Sequence, residues 1–524
     1  MNPTCPPIVV ALLSAFAAAQ DDAPDPVLVV RLFDGEVRIA ECWQQESLAA
    51  APRDAAIEHV TVVPMTGGPA LADQTVTVAR GLIRAIEPAA TAVVGEHVVR
   101  IDGRGRFLVP GLVDMHVHRL ASMSTDLLLL LNGVTSVRDM DGFPWMLRQR
   151  RAITDGRLLA PTPYIAGHIL NYFPMGIYAT VVRTPQAARE AVRAQAKAGY
   201  DFIKIHNAMP VPIFDAVCDE ARAQHLDVVG HVPHEVSVAH AIESGMRTLE
   251  HLKGYVLDST LQISEEDWLT PTGKAEVWNA PTLYSAVRSD VRGEAAIELL
   301  ATPELQFVPV LLREQWRVLA GKPVIGPHRG LAARMGQVFE QLLAIHARLL
   351  VGTDSGGGYA FMVPGFATLT EMELMEQHGM PALDVLAAAT REPAVALRRE
   401  RDFGTIAAGM RADLVLLGRD PAVATANLRT IEGVMVRGIW LARTDLDRIA
   451  ASLTSIAAAS PTWPAAPAEQ QAMVRRHVDA LEQLAKAGFV LPTHAVTGYA
   501  DALDKLGLGD AAGRARATVA IDAR

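Results

Sequence analysis

His116 and His118 stand two residues apart at the end of the run Phe107-Leu108-Val109-Pro110-Gly111-Leu112-Val113-Asp114-Met115-His116-Val117-His118. Along a strand, residues i and i+2 share a face. Both imidazoles then point the same way from one strand end. That is a compact two-nitrogen clamp for a metal ion, since neutral imidazole is the commonest protein metal ligand. Two histidines on a half-exposed strand would look the same in isolation. The difference is made further along, where other apolar runs also end in ligand-type residues. Asp201-Phe202-Ile203-Lys204-Ile205-His206 sets a lysine among apolar neighbours. Gly230-His231, Glu250-His251 and Gly352-Thr353-Asp354 close three more runs. A buried lysine is costly unless it is paired or chemically modified. Four histidines, one carboxylate and one lysine at strand ends are a set suited to divalent metal and to activation of water.

The elements that must carry these residues follow a regular rhythm. From Pro110 onward, apolar strand runs alternate with helical stretches such as 185–199 and 212–224, which predicts βα units and a parallel sheet. Eight strands are expected: Leu112–His118, Val134–Asp139, Tyr164–His168, Phe202–His206, Val228–His231, Thr248–His251, Phe307–Val310 and Leu349–Asp354. Eight such units over about 290 residues predict an α/β fold, a (β/α)8 TIM barrel, whose catalytic groups sit at the C-terminal strand ends. A doubly wound sheet would need a Gly-rich first turn, which is absent. The long stretch 253–306 between the sixth and seventh expected strands is a candidate lid.

On either side of the barrel, short strands punctuated by Gly, Pro and Asp predict a small β-sandwich domain in two pieces, residues 26–108 and 403–443. The barrel itself is expected over 109–402, and an Ala-rich helical C-terminal extension over 444–524. Residues 1–19 read as a signal peptide. Ile8 to Ala19 is apolar and ends in the small-residue triplet Ala17-Ala18-Ala19, although no Lys or Arg precedes it. Removal before Gln20 and export to the periplasm or beyond are expected.

Bulk properties narrow the partners. The chain has 524 residues, is 50% hydrophobic and carries a formal net charge of −10. With no basic run, no nucleic-acid partner is expected. No run reads as a membrane-inserted helix. Three cysteines, Cys5, Cys42 and Cys218, make neither a disulfide framework nor a cysteine zinc site. A small-molecule substrate is expected, and nothing in the composition opposes a homo-oligomer.

The strand-end pattern resembles the metal-dependent amidohydrolase superfamily over roughly residues 57 to 443, within its imidazolonepropionase-like and prolidase-like group. The return segment 404–417 is similar to that family's closing strand pair. The resemblance implies two divalent ions, with zinc expected. His116, His118 and Asp354 would hold the first, and His231 and His251 the second. Lys204, carboxylated, would bridge them. It implies hydrolysis of a C–N bond in a dipeptide, acylated amino acid or cyclic amide by a metal-activated hydroxide, with Asp354 as proton shuttle. Lactone or ester hydrolysis is the neighbouring alternative. A catalytically silent binding or scaffold relative is the other, and it would be expected to have lost ligands. His168, Tyr172 and His206 are candidate substrate contacts, as is Tyr178, with a structural role equally open for the histidines and packing the favoured role for the tyrosines. Arg119 follows the His-x-His one place too early for a dihydroorotase-like arginine. Glu235 lies four residues after His231 rather than the three of deaminase-like members. His231-Val232-Pro233 replaces the His-Ala-Tyr of many prolidase-like members. The Gly356-Gly357-Gly358 run has no phosphate-loop lysine.

Overall fold

A two-stranded hairpin, β1 (Val29–Phe33) and β2 (Gly35–Arg38), comes first and pairs only with itself among the described residues. The structure is a computed structural model that describes residues 29–33, 35–38, 52–119, 123–175, 179–256, 271–321, 330–356, 361–459 and 509–520. The expected signal peptide, Tyr178, and most of the C-terminal extension lie outside those residues.

β-branched runs then build a larger sheet from β3 (Ala55–Val62), β4 (Leu71–Ala79), β5 (Leu82–Pro88), β6 (Val99–Asp102) and β7 (Phe107–Pro110). Alternation aims one face inward, so Ile57, Val60, Val62, Val76, Val78 and Ile83 share one core.

The next strands are almost wholly buried, as parallel strands covered on both faces must be. They are β8 (Leu112–Val117), β9 (Val134–Asp139) and β10 (Thr162–Ile165), followed by a short parallel pair, β11 (Ile169–Asn171) and β12 (Ala179–Val181). Five more follow: β13 (Phe202–Ile205), β14 (Asp227–Gly230), β15 (Met246–Glu250), β16 (Trp278–Ala280) and β17 (Arg348–Leu349). β8, β9 and β10 pair in parallel, as do β13 to β17 in order. Backbone bonds join the two groups at both edges. Gly167 N–H donates to Phe202 O at 2.9 Å, and Met115 N–H to Val351 O at 2.9 Å, while Val117 bridges Ser355. The result is a TIM-barrel-like α/β arrangement.

The chain then returns to the first sheet through β18 (Leu414–Leu417), β19 (Ile431–Val436) and β20 (Ile439–Ala442). β7 pairs in parallel with β3 and antiparallel with β18, which fuses the two sequence-distant pieces. The expected sandwich is therefore corrected to one eight-stranded mixed sheet, ordered β20-β19-β18-β7-β3-β4-β5 with β6 on β3.

The seventh expected strand is also corrected. Phe307–Val310 is not a strand: Pro303–Phe307 is a 3-10 turn and Val310–Ala320 an α-helix capped at Pro309. A short apolar run cannot be told from a buried helix by periodicity alone. The strand in that place is β16, whose Trp278-Asn279-Ala280 lacks β-branched residues and gave no strand signal. The connection after β15 is correspondingly shorter than the expected lid, running from 251 to 277. Behind the sheet, the helix Arg443–Ala459 buries Leu446, Ile449 and Leu453 at helical spacing into the main core. Among the described residues, no helix is long and apolar enough to cross a membrane.

Candidate metal centre

Asp114 ties the ends of the first and last strands together. Its buried carboxylate accepts from the backbone N–H of His116 at 3.1 Å and of Thr353 at 3.1 Å. It also accepts from the hydroxyls of Thr353 and Thr368, each at 2.8 Å. This register brings Asp354 Oδ1 to 3.4 Å from His116 Nε2 and 3.1 Å from His118 Nε2. The backbone of Asp354 takes a left-handed φ of 63°, as does that of His251. Non-glycine residues adopt this region only when surrounding structure imposes it, and such residues cluster at functional sites. Gly230, at φ 128°, precedes His231; a Cβ there would come within 2.3 Å of Ile205 O. Only glycine lets β14 run that close to β13 and present the histidine.

His116, His118 and Asp354 offer ligand atoms that all lie within 4.8 Å of one another, a group able to hold one metal ion. His251 and His231 continue the cluster. Ring centroids are 4.5 Å apart for His116 and His251, and 4.5 Å for His231 and His251. Three of these histidines have Nδ1 engaged by a side-chain oxygen. His116 Nδ1–H donates to Glu250 at 2.8 Å, His231 Nδ1–H donates to Asn207 Oδ1, and His251 Nδ1 pairs with Thr282 Oγ1 at 2.9 Å. Nε2 of each is left to serve as a ligand, the tautomer that metal-binding histidines use. Lys204 is buried, with Nζ 3.5 Å from His116 Nε2.

Electrostatics sharpen the picture. Burial and the Lys204 charge hold His116 at about 4, and burial holds His231 and His251 well below the usual imidazole range. All three are neutral at pH 7 and keep their lone pairs. Burial alone would raise Asp354, but His251, His116 and His118 together hold it well below the carboxylate range. Burial pushes Lys204 down to about 8, so a usable share of its amine is neutral near pH 7. Neutral nitrogens around one fixed anion suit a divalent cation.

Of the candidate substrate contacts, the structure draws in His206. Its ring lies 4.2 Å from that of His231, and burial pushes it down to about 3. His168 pairs through Nδ1 with Thr180 Oγ1 at 2.9 Å and meets the Phe143 ring edge-on. Tyr172 packs edge-on against Phe173 at 5.0 Å. Arg119 is buried between Asp139 at 3.1 Å and Asp126 at 2.9 Å, an ion cluster behind the site.

Reading the sequence missed the supporting carboxylates. Asp114 sits two residues before His116, and Glu250 directly before His251; adjacency to a ligand was their only signal. It also missed Arg138, which donates to Glu250 at 2.6 Å from β9. Lys253, two residues past His251, opens the expected lid and carries no local signal of its own.

Comparisons with known proteins bear on the family and the fold. A model of the family described as "Amidohydrolase family" matches residues 107–441. Ochratoxinase of Aspergillus niger is 23% identical over 335 residues, a stretch covering 56% of this chain and 61% of that protein. The match thus leaves well over a third of that relative's length uncovered. Among solved structures, a bottromycin amidohydrolase superposes with a TM-score of 0.64 at 27% identity, covering 81% of this chain and 95% of that one. A Xaa-Pro dipeptidase with methionine bound in its active site superposes at 0.58 and 20% identity, covering 74% and 100%. The crystal structure of the A. niger ochratoxinase gives 0.55 and 18%, covering 75% and 96%. A family match that starts at β7, runs through β8 to β17 and ends in β20 makes this chain a member of the amidohydrolase family.

Proposed function

We propose that this chain is a metal-dependent hydrolase of a C–N bond in an amide, dipeptide or cyclic amide, working at the rim of a (β/α)8 barrel. One observation carries the reading: His116, His118 and Asp354 offer ligand atoms within 4.8 Å of one another, with the His251 and His231 rings adjoining them. The residues present fit a pair of divalent ions. His116, His118 and Asp354 would hold one ion. His231 and His251 would hold the other, and Lys204, carboxylated, would bridge the two, with zinc the expected metal. An unmodified ammonium has no lone pair to offer. The lowered Lys204 favours the free amine, the form that takes up CO2. When bound, such ions bring the pKa of a water near neutrality and polarise the scissile carbonyl.

The chain's own groups do the rest. Asp354, ionised and at the meeting point of His116 and His118, takes up the proton released by the attacking water and passes it to the leaving nitrogen. An amine leaves poorly without that proton, so this role matters more for an amide than for an ester. Glu250 and Asp114 keep the His116 ring and its strand end in place. Two of the similar structures bear the names amidohydrolase and Xaa-Pro dipeptidase, and both names denote cleavage of a C–N bond. Export of the chain belongs to the same proposal.

The test is a panel of N-acyl amino acids, dipeptides and lactones offered to protein loaded with zinc, cobalt or manganese, and to chelator-treated protein. Amine release that vanishes with the metal supports the reading. Turnover of lactones alone would replace it with ester hydrolysis, and no bound metal with no turnover would favour a silent scaffold.

A further inference from the structure

We propose that Lys253 is the recognition residue for a carboxylate that the substrate carries beside the amide bond to be cleaved. This rests on the amide-hydrolase reading and narrows its substrate class to N-acyl amino acids and dipeptides with a free C-terminus.

Position is the first ground. β15 ends at Glu250, and His251 and Leu252 then take left-handed φ values of 63° and 52°. Those two residues turn the chain at the rim, and Lys253 opens the short helix Lys253–Val256 directly after them. The following residue, Gly254, is pressed against the end of β14: a Cβ there would lie 2.9 Å from Val232 Cβ, next to His231. The backbone that carries Lys253 is therefore held beside the ends of both strands that supply His231 and His251.

Charge is the second ground. Burial lowers the Lys253 amine, and its charge acts on His231, His206, His251 and Lys204, in keeping with the backbone position at the rim. Among the described residues, the carboxylate that bears on it is Asp354, already 3.1 Å from His118 Nε2. Among the described residues, Lys253 forms no hydrogen bond or ion pair, although it is only partly exposed. An ammonium has three donors, and leaving them unmet away from bulk water is unfavourable. Divalent ions at the ligands would add to the surplus of positive charge. An incoming anion would offset it, and a single ammonium matches a monoanion. The neutral ring of His206, beside His231, offers that anion a further polar contact.

Amine release from N-acetyl amino acids and from their methyl esters would be compared in wild type, Lys253→Met and Lys253→Arg. Wild type should favour the free acids by about 10- to 100-fold in kcat/KM, the range of one charge-assisted hydrogen bond. Lys253→Met should erase that preference mainly through KM, and Lys253→Arg should keep part of it. Calorimetric titration of the same acids and esters into purified protein gives an independent readout. There, wild type should bind the acid at least about 10-fold more tightly than the ester, and Lys253→Met should not. A wild-type ratio retained in Lys253→Met overturns the assignment, because the ions or another group would then hold the carboxylate. A binding preference lost in Lys253→Met, in a protein that cleaves neither compound, would leave Lys253 assigned and reject the amide reading alone.

Discussion

The carboxylate of Glu250 accepts the Nδ1–H of His116 across 2.8 Å, with both side chains completely buried. The two residues come from β15 and β8, and Arg138 on β9 donates to the same carboxylate at 2.6 Å. Arg138 also donates to Met115 O at 2.6 Å and to Thr248 Oγ1 at 2.8 Å. Three strands are thus linked through one side chain directly beneath the candidate ligands. Burial opposes ionisation of Glu250, but Arg138 and His116 hold it at about 2.

Glu250→Gln keeps the shape and removes the charge. It leaves Arg138 buried without its counter-ion and lets the His116 ring choose either tautomer. Loss of one partner from a buried pair costs about 3–5 kcal/mol, and loss of a residue that orients a ligand costs about 10- to 100-fold in metal affinity. Urea unfolding and chelator competition read the two effects separately. Unchanged metal affinity would show that Glu250 holds the fold but not the ligand.

Lys204→Ala should lose bound metal and activity together. A short carboxylic acid added to this variant should restore part of both, because the missing group is in effect a carboxylate. Lys204→Glu should keep at most one ion, since its side chain is shorter than a lysine carbamate. Full metal content and near-normal rates in Lys204→Ala would replace the binuclear reading with a mononuclear one.

Asp354→Asn should separate chemistry from metal binding. Turnover should fall by about 100- to 10,000-fold, the usual contribution of a proton-transfer group. Metal at the Lys204-bridged position should be retained better than turnover. Element analysis beside single-turnover rates makes the comparison, and parallel losses in both would assign Asp354 to metal binding alone.

Asp114 gives a pH dependence of definite sign. Burial pushes its carboxyl up to about 6 despite the bonds from Thr353, His116 and Thr368. A group that holds its proton more tightly when folded stabilises the fold fully below its unfolded value, about 3.9, and that contribution disappears as pH rises through 6. In chelator-treated protein, wild-type stability should therefore fall relative to Asp114→Asn between pH 4 and pH 7, by about 3 kcal/mol. Melting curves of both proteins across that range decide it; a constant difference would mean that Asp114 is ionised throughout.

Export is checked at the N-terminus. If residues 1–19 are a signal peptide, native protein should begin near Gln20 and be recovered outside the cytoplasm. Edman sequencing that returned Met1 or Asn2 would place the chain inside.

The sequence by itself determined the list of chemical groups and the family. His-x-His on one strand, and ligand-type residues closing other apolar runs, are local patterns that strand periodicity converts into a shared rim. His116, His118, His231, His251 and Asp354 were legible for that reason, as was Lys204, whose cost inside an apolar strand marks it. Tertiary structure decided what local pattern cannot encode. Trp278–Ala280 became the seventh strand because its neighbours on both sides supply hydrogen-bond partners, while Phe307–Val310 joined a 3-10 turn and a helix that bury the same apolar side chains. β7 pairs with both β3 and β18, so two stretches some 300 residues apart form one sheet. The roles of Glu250, Arg138 and Asp114 are likewise long-range: each is an ordinary charged residue in sequence, and only burial against a partner more than 100 positions away makes it part of the site. Lys253 belongs with them, since the turn at His251 and Leu252 carries its backbone along the rim beside those strand ends.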